Sequence, residues 1–272
     1  MNSRELLTFP TPNELARAAA GDWLAECQDA GRAGRPFRVA LSGGRIARLF
    51  FQAAAELARG RQPIDWNQVH FFWADERCVP PQDPESNFAL ADTGLFRPLQ
   101  IPAANIHRIR GEAPPAQAAR EAAEELRRVA PPDQSGHPVL DLILLGMGED
   151  GHVASLFPGP ENADLPDSDT ELYRAVTAPK PPPHRITLTY PVIYAARQVW
   201  VLASGPGKER ALADSLEGWR HNERRVEGME ALPPPSLSSQ LSTLNSPQKT
   251  TPLGQVLQIR SRARLYTDIR PQ

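Results

Sequence analysis

Val139-Leu140-Asp141-Leu142-Ile143-Leu144-Leu145 runs without a break into Gly146-Met147-Gly148-Glu149-Asp150-Gly151-His152. The first seven residues are almost continuously apolar, which is the pattern of a strand covered on both faces, as in a parallel sheet. The glycines that follow stop it. Working outward, the same pairing of apolar run and polar or glycine-rich exit recurs three times. Phe37-Arg38-Val39-Ala40-Leu41 ends in Ser42-Gly43-Gly44-Arg45, and Val69-His70-Phe71-Phe72-Trp73 ends in Ala74-Asp75-Glu76-Arg77. Gln198-Val199-Trp200-Val201-Leu202-Ala203 ends in Ser204-Gly205-Pro206-Gly207-Lys208. Between them Ile46, Leu49, Phe50, Ala53 and Leu57 recur at helical spacing up to Gly60. A second helix, rich in Ala, Glu and Arg, is predicted over about 116 to 129. Strands alternating with helices predict an α/β fold with a mostly parallel sheet. In such sheets ligands bind outside the carboxyl ends of the strands, so all four exits are expected to face one crevice.

At 272 residues and 40% hydrophobic content the chain can bury a core unaided, and no internal repeat or linker divides it. One domain spanning 1–272 is expected. The net charge of −2 leaves no basic field for nucleic acid, so an anion must be held by local cations. Cys27 and Cys78 have neither disulfide-framework nor metal-site spacing and read as free thiols. The first residues lack the basic and apolar regions of a secretion leader, and no apolar run is long enough to cross a bilayer. A cytoplasmic location with no membrane partner is expected; the sequence names no protein partner. Two stretches read as loops: 158–169, rich in Pro and Asp, and 233–252, rich in Pro, Ser and Thr and expected to be mobile.

The exits carry the chemistry. Ser42, Gly43 and Gly44 sit between a strand and a helix start, where free N–H groups and the helix dipole favour phosphate. This is neither the dinucleotide fingerprint nor a Walker loop. Lys208, and Arg185 in Pro183-His184-Arg185-Ile186-Thr187, add candidate cations for the same anion. Asp75-Glu76-Arg77 places two carboxylates and a guanidinium at one exit; a structural ion pair would read the same way. Ser86 and Asn87 are turn formers, with Asn87 a candidate for a substrate hydroxyl. His152 is the candidate base, because imidazole titrates near neutrality, and Glu149, Asp150 or Asp75 is its candidate partner. Arg77 is a candidate oxyanion donor. The GxSxG elbow of acyl-serine hydrolases is missing, and no metal-ligand spacing is present.

In order, Leu41-Ser42-Gly43-Gly44, Asp75-Glu76-Arg77 with Ser86-Asn87, Leu144 through Pro158, His184-Arg185-Ile186-Thr187 and Gly205-Pro206-Gly207-Lys208 resemble the 6-phosphogluconolactonase family. The likeness covers about residues 10 to 232 and resumes weakly near Val256. It implies a Rossmann-like fold, a mostly parallel sheet with helices on both faces, shared with glucosamine-6-phosphate deaminase and ribose-5-phosphate isomerase. It also implies hydrolysis of a sugar-phosphate lactone without metal or cofactor. His152 would then activate water, and Arg185 and Lys208 would hold phosphate. A deaminase resembles GHIAFNEP and DEY at the matching places. This chain has Gly151 through Pro158 without the FNEP glutamate, and Arg77 in place of the tyrosine. A sugar-phosphate-sensing domain of a transcription regulator shares the fold, but the chain shows no DNA-binding segment and keeps His152. Three departures stand out: Ile46-Ala47 replaces the family's Thr-Pro, 233–252 looks like an insertion before the last strand, and 262–272 only faintly resembles the family's end.

Overall fold

The structure, a computed structural model, describes residues 3–60, 62–159, 171–217, 219, 222–225, 251–259 and 262–269. β1 (Ser3–Thr8) leads into α1 (Pro12–Arg32). Thr11 caps that helix: its Oγ1 accepts the Glu14 N–H at 3.2 Å and donates to the Glu14 carboxylate at 2.9 Å. Pro12 takes the first helical position, where no N–H is needed. β2 (Phe37–Leu41), α2 (Arg45–Ala58) and β3 (Val69–Trp73) follow as the apolar spacing predicts. β4 (Asp75–Arg77) comes next. α3 (Asn87–Ala91) then passes through a π-type turn into α4 (Arg97–Leu99). The chain continues through α5 (Pro115–Val129), β5 (Leu142–Gly146), β6 (Tyr173–Thr177), β7 (His184–Leu188), α6 (Tyr190–Ala195) and β8 (Gln198–Ala203). It closes with α7 (Glu209–Leu216), β9 (Asn222–Arg225), α8 (Pro252–Ile259) and β10 (Arg262–Thr267).

Seven strands form a wholly parallel sheet in the order β3-β2-β5-β8-β10-β1-β9. This is the α/β fold that the sequence predicts. The chain steps outward from β2 to β3 and then returns to place β5 on the other side of β2. That reversal opens a crevice at the carboxyl ends of β2 and β5, where Ser42-Gly43-Gly44 and Gly146 through His152 emerge. α1 packs on α2, with the Trp23 and Phe50 ring centres 5.8 Å apart. Phe71, Phe96 and Trp73 extend the same aromatic core. Among the described residues no helix is long and apolar enough to cross a membrane. Cys27 is buried, Cys78 half-buried, and both are free.

Three readings need correction. Ala74-Asp75-Glu76-Arg77 is more than an exit: Asp75–Arg77 is itself a strand of a small antiparallel sheet ordered β4-β7-β6. Ala74 makes the crossing, donating to Leu41 O in one sheet and accepting from Leu188 N in the other, both at 2.7 Å. The strand predicted from Val139 starts at Leu142, because the Val139 N–H bonds Pro131 O outside the ladder. Of the faintly matching tail, Arg262–Thr267 form a central strand, β10, between β8 and β1. Of the loops expected at 158–169 and 233–252, only 158–159 and 251–252 lie within the described residues, and α8 begins at Pro252.

The amino end of β5 has its own anchor. Buried Asp141 accepts from Arg38 N at 2.9 Å and from Arg35 Nη1 at 2.8 Å, and Arg197 Nε lies 3.3 Å away. It thus ties the starts of β2, β5 and β8 together at the end of the sheet remote from the crevice. Asp141→Ala leaves a buried backbone donor and three cations without their carboxylate. Arg35 and Arg197 are solvent-facing and partly screened, so the expected loss is about 2–3 kcal/mol. Urea unfolding checks this; a loss below about 0.5 kcal/mol, the scale of an ordinary surface change, would reduce the cluster to a surface feature.

Candidate active site

The crevice is a cleft of ≈ 300 Å³ lined by side chains from all four strand exits, together with Arg185 and Lys180. Its size falls at the small end of small-molecule sites, which run from about 300 to 1,000 Å³. Ser42, Gly43, Gly44, Asp75, Arg77, Asn87, Glu149, His152, Arg185 and Lys208 all contribute to the wall, so one site gathers residues more than 160 positions apart.

His152 is held by a neighbour two residues back. Its Nδ1 lies 2.6 Å from Asp150 Oδ1, which also accepts the His152 backbone N–H at 3.2 Å. Burial pushes the Asp150 carboxyl up, but the ring hydrogen bond and charge of His152, with backbone N–H groups, outweigh it and hold the pKa at about 2. An ionised carboxylate only accepts, so Nδ1 must carry the proton and the neutral ring presents the Nε2 lone pair. Of the three candidate partners Asp150 alone bonds the ring among the described residues. Glu149 instead meets Lys180 Nζ at 3.2 Å, and Asp75 is bound elsewhere.

Buried Asp75 accepts from Ser155 Oγ at 2.7 Å and from Asn87 Nδ2 at 3.2 Å. Asn87 Nδ2 also donates to Asp75 O at 2.8 Å, so its amide hydrogens serve the protein itself. Ser42 Oγ likewise donates to Leu144 O at 2.8 Å, joining the β2 and β5 exits. Glu76 is structural. Its two oxygens accept from the backbone N–H groups of Arg77, Asn87 and Phe88 and from Ser86 Oγ, closing the start of α3. Burial pushes its pKa up against these four bonds.

The opposite wall is cationic. Arg77 and Arg185 face each other across β4 and β7, a like-charge pairing that costs stability unless an anion lies between. Burial, then Arg77, push the Arg185 pKa down, while Asp75 and Glu85 oppose them. Arg185 donates to the carbonyls of Pro182 and Lys180 and stacks 5.7 Å from the Phe157 ring centre. Phe157 is also 4.7 Å from the His152 ring, which links the base to this wall. Arg77 donates to Glu85 O at 2.6 Å, yet its buried Nε has no partner among the described residues. Lys208 Nζ donates to Met147 O at 2.6 Å, leaving two donors for a ligand. Sequence reasoning passed over Arg45, Lys180 and Ser155. Arg45 follows the glycine pair, and Lys180 opens Lys180-Pro181-Pro182-Pro183, but neither has a spacing that sets it apart from a surface charge. Among the described residues no cluster of His, Cys, Asp or Glu forms a metal-holding group.

Known proteins resemble this chain over most of its length. Residues 10–233 match the family model described as glucosamine-6-phosphate isomerases/6-phosphogluconolactonase. A 6-phosphogluconolactonase of Haemophilus influenzae is 38% identical over 208 residues, 76% of this chain and 84% of the relative. The solved 6-phosphogluconolactonase of Trypanosoma brucei superposes with a TM-score of 0.74 at 24% identity, covering 98% of this chain and 97% of its own. A monomeric glucosamine-6-phosphate deaminase superposes at 0.71 with 15% identity, covering 97% and 96%. At those two identities the likeness speaks to the fold.

One glycine guards the base. A Cβ on Gly148 would lie 2.1 Å from His152 Nδ1 and 2.7 Å from Asp150 Oδ1. Both are side-chain atoms, so Gly148→Ala should be accommodated by breaking the Asp150–His152 bond, with the fold retained. The low-field Nδ1–H proton resonance of His152 should be lost in the variant while its circular dichroism stays native. An unchanged resonance would show that the ring is held by other contacts.

Proposed function

We infer the reaction from one premise: the chain belongs to the family of glucosamine-6-phosphate isomerases and 6-phosphogluconolactonases. It is a lactone hydrolase that opens 6-phospho-D-glucono-1,5-lactone to 6-phosphogluconate, the second step of the oxidative pentose phosphate pathway. The observation that carries the mechanism is the convergence of His152, backed by Asp150, with Arg77, Arg185 and Lys208 on one cleft. The deaminase reading lacks its glutamate, because Leu156-Phe157 occupies the place. The reaction is read as cytoplasmic, carried out by the whole chain without a metal or organic cofactor.

The phosphate lies against Arg185, Lys208 and the backbone N–H groups at Gly43 and Gly44, where the α2 dipole adds to the cations. Water attacks C1, and its proton passes to His152 Nε2 as the new C–O bond forms. Asp150 stays ionised and offsets the imidazolium charge. The tetrahedral oxyanion is stabilised by the guanidinium of Arg77, which lines the cleft. Collapse breaks the bond from C1 to the ring oxygen, which takes the proton back from Nε2. One residue thus serves first as base and then as acid. Asn87 holds Asp75 at the cleft wall, beside the substrate hydroxyls.

The direct test is hydrolysis above the spontaneous rate in buffer containing EDTA. There His152→Ala should lower kcat at least about 10²-fold with KM little changed. A near-native kcat would move water activation to another group. Arg185→Ala and Lys208→Ala should each lower kcat/KM for the phosphorylated lactone roughly ten- to a hundredfold, the worth of a charge-assisted hydrogen bond. Unphosphorylated gluconolactone should respond to neither change; equal losses on both lactones would take the phosphate away from these cations.

A further inference from the structure

The segment after β10 carries a side chain that the reaction above does not use. Asp268 Oδ2 accepts from Ser204 Oγ at 3.1 Å, and its Oδ1 accepts from Gly205 N at 3.3 Å. Both donors lie at the exit of β8, immediately before Lys208. The turn between them and Lys208 has glycine on either side of Pro206. Gly205 and Gly207 have φ of 94° and 82°, left-handed values that glycine adopts without steric cost. Asp268 is the side chain that fastens its first half from outside the cleft, which it does not line. Lys208 Nζ fastens the other end on Met147 O.

The charges follow the same plan. Arg45 Nη2 lies 3.7 Å from where a Cβ on Gly205 would sit, so a second cation overhangs the turn. Burial and then Arg45 push the Lys208 pKa down, and Glu149 and Asp268 oppose them. Lys208 is a cation below its pKa and loses the charge as pH rises through it. A carboxylate behind the turn therefore keeps the ammonium charged to higher pH.

We propose that Asp268 is a positioning residue of the phosphate subsite: by fixing the Ser204–Gly205 turn it presents Lys208, with Arg45 beside it, to the phosphate of the substrate. The C-terminal segment thereby serves substrate selection as well as completing the sheet. The proposal rests on the sugar-phosphate reading of the cleft.

Two variants separate geometry from charge. Asp268→Ala removes both acceptors; Asp268→Asn keeps the shape and one acceptor but no charge. Steady-state kinetics on the phosphorylated and unphosphorylated lactones is run beside calorimetric binding of 6-phosphogluconate, from neutral to alkaline pH. Asp268→Ala should raise KM and the 6-phosphogluconate Kd about tenfold, the scale of hydrogen bonds lost to a charged acceptor, with kcat unchanged. Asp268→Asn should be milder at neutral pH, and its KM should begin to climb at lower pH than in the native enzyme. Unphosphorylated lactone should be turned over equally by all three. Equal losses on both lactones, or unchanged KM and Kd with an unshifted alkaline limb, overturn the proposal. If Asp268→Ala does not fold, the Asp268→Asn limb decides alone. Native protein that fails to hydrolyse the lactone refutes the reaction, while 6-phosphogluconate binding still tests Asp268.

Discussion

A single buried carboxylate holds the site in register. Asp75 receives Ser155 from the loop after His152 and Asn87 from the start of α3, and it stands where the chain crosses from the large sheet to the small one. Asn87 in turn presses against the β2 exit so closely that a Cβ on Gly43 would sit 1.8 Å from its Oδ1. Four segments that are remote in sequence are thereby referenced to one buried group. The acidic β4 triad has two unlike members: Asp75 organises the cleft wall, while Glu76 spends both oxygens on the start of α3. Identical chemistry one residue apart is divided because neighbouring side chains on a strand point to opposite faces.

The cleft is electrostatically unfinished. Arg77 beside Arg185, and Arg45 near Lys208, are arrangements that a folded chain tolerates only at a cost. Carbonyls from Lys180, Pro182 and Met147, and the Phe157 ring, satisfy part of the cations' bonding without neutralising them. In the reaction proposed above, the substrate phosphate supplies negative charge to these cations, so its binding relieves repulsion built into the fold. At the opposite end of the sheet one carboxylate sits among three guanidinium groups. There a carboxylate of the chain itself lies between the cations, as suits an anchor rather than a site.

Strand exits that follow apolar runs were legible in the sequence because burial on both faces leaves an unmistakable pattern, and the glycines after β2, β5 and β8 marked where the backbone turns. The small sheet left a weaker trace, the alternation of Ile186, Leu188 and Tyr190. Asp75–Arg77, Tyr173–Thr177 and His184–Leu188 are short and partly polar, and their pairing is decided by tertiary contacts rather than by local pattern. β10 was read only as a faintly matching tail despite its central place, because Arg264 interrupts it. That arginine stacks 5.1 Å from the Trp200 ring centre and pairs with Glu5 at 3.0 Å, partners that sequence alone does not reveal. The choice of Asp150 over Glu149 turned on loop geometry: Gly151 at φ 79° turns the backbone between Asp150 and His152, while Glu149 lies toward Lys180.

The pairing of β1 with β10 has a consequence for how the molecule is made. Ser3 and Arg262 are register partners, so β1 is made about 260 residues before the neighbour it bonds. At roughly 5–20 residues per second, β1 waits about 10–50 s for that neighbour. Until then one edge of β8 is also bare, since β10 separates it from β1. Nascent chains thus carry open hydrogen-bonding edges through most of synthesis, and these are the surfaces that holding chaperones shield and that drive aggregation when translation stalls. The sheet becomes continuous only when β10 joins β8 to β1.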